Sequence, residues 1–142
     1  MRSRKLFPII LCLIVILSVP SSFAATHAST CLSSYAIGLY AEGNGEMDVE
    51  FEILGTNIMD KVGVYSLLIE EEVLPDVWVF HSIVYGEDNE STFFTENSII
   101  HKDSYTFKGT PGLRYRVTLT AYAELGSDSD TGDVTSAARR CK

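Results

Sequence analysis

The sequence predicts an all-β protein, a single antiparallel β-sandwich behind a cleaved export signal, and three observations carry that reading. Apolar and polar residues alternate with period two, most clearly over Met47–Ile53 and Leu113–Ala123. Turn residues punctuate these runs at Gly43-Asn44-Gly45, Pro75-Asp76, Gly109-Thr110-Pro111-Gly112 and Gly126–Gly132. Beyond the signal, no stretch of about 12 residues, the length of an ordinary helix, carries a helical apolar stripe. Six or seven short strands so punctuated specify a sandwich.

The chain opens with a secretory pattern. Arg2, Arg4 and Lys5 precede the apolar run Leu6–Val19, and Pro20-Ser-Ser-Phe-Ala24 places Ser22 and Ala24 at the small-residue positions of a cleavage site. That run is shorter than the roughly 20 residues a spanning helix needs. The expected organisation is a signal peptide over 1–24, a tail over 25–32 and the sandwich over 33–142. The mature chain would be Ala25–Lys142, extracellular and without a membrane span.

The elements follow in order. Tyr35, Ile37 and Leu39 alternate before the Gly43–Gly45 turn, and Met47–Ile53 alternates apolar with acidic residues, so the two form a first hairpin. Gly55–Gly63 reads as a connection and Val64–Glu71 as a β-branched strand. Pro75-Asp76 turns the chain into Val77–Tyr85. Gly86–Asp103 has no clear pattern and reads as a long loop or a short irregular edge strand. Leu113–Ala123 alternates throughout, Gly126–Gly132 reads as a loop, and Val134–Arg139 as the final strand.

Two resemblances add to this. Pro111-Gly112-Leu113-Arg114-Tyr115-Arg116-Val117 is similar to the E–F corner and F strand of fibronectin type III domains. The resemblance implies an immunoglobulin/fibronectin III-like sandwich in which Tyr115 is a corner tyrosine, its ring in the core and its hydroxyl bonded to upstream backbone. Gly45–Phe51, Met59-Asp60-Lys61-Val62-Gly63, Trp78 and Gly126–Ser129 together resemble a group of small secreted proteins of Gram-positive bacteria. That group supports export and a single β-domain, and implies no ligand. In physical terms Met59 would cap the core, Asp60 would bond nearby backbone, and Gly63 would permit a positive φ or close packing.

Charge narrows the partners. Past the signal the chain has eight Lys and Arg against nineteen Asp and Glu, a net charge of −11. Such a chain repels nucleic acid and anionic lipid and favours solubility or a cationic partner. Cys12 leaves with the signal, so Cys31 and Cys141 remain. An exported pair suggests a bridge, but first and last strands running the same way set its ends roughly 20 Å apart or more, against the ~7 Å limit for a bridged pair. Intramolecular, intermolecular and free states all stay open.

No catalytic or ligand motif stands out. The acidic run Asp128–Asp133 fails the spacing of a calcium loop and reads as a solvated turn. Glu87-Asp88-Asn89-Glu90 has no glycine-defined turn, and His27, His81 and His101 have no zinc-site spacing. No cofactor is expected. Trp78, Phe80, Tyr85, Phe93 and Phe94 cluster in one third of the chain. Some must fill the core, and the remainder would offer a sandwich edge to a sugar or a peptide strand. The sequence thus predicts a non-catalytic binding or adhesion module whose partner is a protein or glycan at the cell envelope or in the medium. A soluble effector or enzyme inhibitor is the first alternative, and a small hydrolase the last.

Overall fold

The computed structural model describes Ser29–Lys142; the signal segment and residues 25–28 of the tail lie outside the described residues. Seven strands form one antiparallel sheet: β1 Leu32–Gly43, β2 Glu46–Leu74, β3 Val77–Tyr85, β4 Phe94–Lys108, β5 Arg114–Leu125, β6 Asp128–Thr135 and β7 Arg139–Arg140. A 3₁₀ turn at Gly86–Asp88 and the one-turn helix α1, Glu90–Phe93, join β3 to β4. Among the described residues no helix is long and apolar enough to cross a membrane.

The 29-residue strand β2 organises the sheet. Its first half pairs with β1 on one side and β4 on the other, so Ile53 stands between Tyr35 and His101. Its second half exchanges those neighbours for β5 and β3, so Leu67 stands between Leu119 and Val84. β6 then pairs with the far side of β5. Partner exchange midway along one strand curls the sheet around a single core, an arrangement compatible with a β-sandwich. Met47, Val49, Phe51 and Ile53 from one half meet Leu67, Ile69, Val117, Leu119 and Ala121 from the other, all 2% exposed or less.

Local chemistry explains the turns. Asn44 and Gly45 both have positive φ, which suits the two-residue turn whose twist matches its strands. Asp76 takes the left-handed conformation after Pro75, and its N–H donates to the Glu72 carboxylate at 2.9 Å. Gly112, also at positive φ, closes the Thr110–Leu113 turn.

Three expectations are corrected and a fourth is narrowed. Gly55–Gly63 is not a connection but the kinked middle of β2, because β4 and β5 both pair with it; a register shift between Leu54 and Met59 absorbs its irregularity. Of the two readings left open for Gly86–Asp103, the edge strand holds from Phe94, where β4 begins and pairs with β2 alone, although β4 runs on to Lys108; Gly86–Phe93 forms the 3₁₀ turn and α1. Thr95–Ser98 of β4 is polar and has no buried residue, so this stretch shows no alternation. The Gly126–Gly132 loop shrinks to Gly126-Ser127; Asp128 is exposed at the start of β6, and Asp130 is half-buried and accepts the Cys31 N–H at 2.6 Å. The final strand over Val134–Arg139 is divided between β6 and β7 at Ser136. There the Ser136 N–H donates to the Val117 carbonyl at 2.9 Å, and the Ser136 hydroxyl accepts the Val117 N–H at 3.0 Å.

Candidate functional site

β5 alternates its side chains between core and surface, and the surface row ends at Tyr122 and Glu124. Register sets Tyr122 beside Gly63 of β2, and Gly63 in turn beside Phe94 of β4. Phe94 and Tyr122 are thus two strand spacings apart, about 9.5 Å, yet their ring centroids are 6.0 Å apart. The rings lean together over Gly63, which has no side chain to hold them apart. A Cβ at Gly63 would collide with the Phe93 carbonyl, so the gap is fixed by backbone packing. Gly86 lies beneath the same ring, where an added Cβ would stand 2.6 Å from Phe94 Cε2.

Tyr65 continues the row, its centroid 6.3 Å from that of Tyr122. Tyr85 closes β3 and joins Glu87, Lys61 and Glu124 around a cleft of about 200 Å³. Tyr65 is 53% exposed and Tyr85 41%. Lys61 Nζ lies 4.2 Å from the centre of the Phe94 ring and 3.1 Å from Glu90. The Tyr122 hydroxyl donates to Glu124 at 2.6 Å. That bond, with some burial and the carboxylate's charge, pushes the phenol up to about 12 from its usual value near 10. An outward-facing run of rings with carboxylates at its rim can stack a flat ligand and hold a charged one.

The aromatics singled out from sequence separate into three places. Phe93 is fully buried and packs edge-on to Phe51 and Tyr105 at 5.7 and 5.6 Å, so it belongs to the core and not to a binding surface. Tyr85 and Phe94 line the cleft. Trp78 and Phe80 sit on the outer face of β3 toward the far end of β2. Trp78 pairs with Glu72, nine residues along β2 from Gly63, or about 30 Å. The Arg116 guanidinium lies 4.5 Å from the Trp78 ring and donates to Glu70 at 2.7 Å, while Arg114 donates to Glu72 at 2.7 Å. Trp78 is therefore stacked within the fold, and Phe80 is 65% exposed. The signal that would have found the cleft is register: Tyr65, Tyr85 and Tyr122 are far apart in sequence and meet only across β2.

The remaining sequence candidates are structural in their contacts. Tyr115 is fully buried; its hydroxyl accepts the Thr110 N–H at 2.8 Å, across the Pro111-Gly112 turn, and donates to Glu71 at 3.2 Å. His81 meets the same carboxylate at 3.2 Å. Gly109 makes room for that ring, since a Cβ there would stand 2.8 Å from Tyr115 Cε2. Met59 is fully buried, and the Asp60 carboxylate accepts the Gly126 N–H at 2.7 Å.

Cys31 and Cys141 are both free and buried, at opposite ends of β5. Cys31 faces the Asp128 carbonyl, whereas Cys141 pairs its N–H with Leu113. A strand of that length, roughly 40 Å, separates them, so the intramolecular bridge left open by the sequence is not formed. Burial, with Asp130 and Asp128 nearby, pushes the Cys31 thiol up, which keeps it protonated and unreactive.

Comparison of the chain with protein-family models, with curated proteins and with solved structures finds no match.

Proposed function

We propose that this chain is an exported, non-catalytic binding module, a fibronectin III-like β-sandwich that engages its partner through the aromatic cleft. The observation that carries the reading is the cleft itself. Tyr65, Tyr85, Phe94 and Tyr122 come from four different strands and face outward together, and Gly63 and Gly86 are the residues that let them meet. Large apolar side chains held on a surface cost solubility unless something covers them. The buried Tyr115 with its upstream backbone bond supports the fibronectin-like assignment.

Export rests on the signal pattern of residues 1–24, with cleavage after Ala24. Ser29, close behind that cut, is already tied to the domain, its hydroxyl donating to Asp130 at 2.8 Å. The partner is then a protein or glycan of the cell envelope or the medium.

A second reading, a soluble effector or inhibitor that acts on a basic protein, draws on the net charge of −11 past the signal. Co-sedimentation of Ala25–Lys142 with isolated cell-envelope material separates the two. The module reading predicts pelleting that is lost in a Phe94→Ala, Tyr122→Ala double variant. Protein that stays in solution with every envelope fraction overturns it and moves the search to soluble partners.

A further inference from the structure

We propose that the cleft takes an organic cation, the ammonium or guanidinium of a lysine or arginine side chain presented by a basic protein segment. This rests on the cleft being the binding site and names what it binds. Charge is the first argument. Glu87 and Glu124 stand at the rim, and among the described residues neither has a salt-bridge partner. Lys61 also lines the cleft, but its charge is taken by Glu90 on α1. Two uncompensated carboxylates therefore border the rings. A neutral saccharide would stack there and leave both charges unanswered.

Ring chemistry is the second argument. The face of an aromatic ring attracts a cation, and carboxylates beside it add their own Coulomb attraction. Lys61 already displays this attraction, with its ammonium over Phe94. Among the described residues no cation lies over Tyr65, Tyr85 or Tyr122, and a group resting on Tyr122 also reaches Glu124, because phenol and carboxylate are hydrogen-bonded. A guanidinium suits this pair best, stacking on the ring while its planar fork meets the carboxylate. The volume, about 200 Å³, is below the ~300 Å³ where drug-sized pockets begin. It admits one side chain rather than a folded ligand. The acidic surface around it draws in basic partners over about one Debye length, roughly 8 Å at physiological salt.

The test is an NMR titration of the exported protein with four probes, following the Tyr and Phe ring resonances. The probes are acetyl-Gly-Arg-Gly-amide, its lysine and citrulline counterparts, and a neutral N-acetylglucosamine disaccharide. The arginine and lysine peptides should shift Tyr65 and Tyr122, and the citrulline peptide should bind at least about tenfold more weakly. Glu124→Gln should weaken the arginine peptide by about fivefold with the melting temperature unchanged, while Lys61→Met should not weaken it. Equal binding of arginine and citrulline, or disaccharide binding indifferent to Glu124→Gln, overturns the cation and leaves the cleft a binding site. If none of the four probes moves these rings, both the cation and the cleft's role as the binding site fall.

Discussion

Tyr115 and Tyr122 lie seven residues apart on one strand, and each donates its hydroxyl to a glutamate. The first points into the core, with no exposed surface, and its oxygen also accepts a backbone N–H. The second points outward, beside two rings that lean over a glycine. The same pair of groups thus does two jobs, decided by strand face. At the inner end the tyrosine hydroxyl both donates and accepts within the fold, and the glutamate oxygen it meets is shared with His81. At the outer end a ring face and a carboxylate are held ready for something the chain itself does not supply.

Breaking the inner pair should have the largest effect. Tyr115→Ala should cost about 3–5 kcal/mol, as for truncation of a fully buried aromatic, read as a lowered denaturation midpoint with unchanged slope. Tyr115→Phe keeps the ring and should still cost about 1–2 kcal/mol, because the Thr110 N–H and Glu71 lose a buried partner. An unchanged midpoint in the second variant would mean that the corner bond does not hold the turn.

The outer pair should give the opposite pattern. Tyr122→Phe should change stability by less than about 0.5 kcal/mol, since its bond is at the surface. Its signature is spectroscopic. Phenolate absorbance of Tyr122 should appear near the value of about 12, and Glu124→Gln should bring it back toward the usual value of about 10. A Tyr122 that titrates normally in the wild type would show that the glutamate is not bonded in solution.

The smallest expected effect concerns His101, which separates the two ends along β4. Burial holds its imidazole below the ordinary value of 6.5; Nδ1 meets the Thr95 hydroxyl at 2.9 Å and Nε2 has no partner. The unfolded chain therefore takes up this proton more readily than the folded one. Stability should be constant above about pH 6.5 and decline as the pH falls through the window below it. His101→Met should flatten that decline; a slope that survives the substitution would assign it to other groups. Carboxylates whose ionised forms are favoured by hydrogen bonds, such as Asp130 with the Cys31 N–H and Ser29, act only at lower pH.

Strands with one buried face were legible from sequence because period-two alternation is the direct imprint of that burial. Met47–Ile53 lies within β2 and Arg114–Ala123 within β5, both with that alternation of buried and less buried residues. The segments missed were those where burial left no such imprint. β4 carries Glu96-Asn97-Ser98 on an edge, with Asn97 at positive φ, and β6 carries Asp128, Asp130 and Asp133 with no fully buried residue. The middle of β2 looks like a turn because glycines at 55 and 63 allow a kink and a close crossing, not because the chain reverses. Of the cleft's rings, Tyr85 and Phe94 were marked in advance. The other rings are assembled by register across paired strands, and register is set by long-range pairing that no local window contains.

The central claim is that the inner tyrosine serves the fold and the outer one serves binding, and one paired measurement tests it directly. Tyr115→Phe and Tyr122→Ala should be compared for both melting temperature and envelope co-sedimentation, each below its own transition. The account predicts that Tyr115→Phe melts earlier and still pellets, whereas Tyr122→Ala melts as the wild type does and stays in solution. If Tyr122→Ala pellets as the wild type does, the cleft is not the binding site and the comparison between the two ends fails.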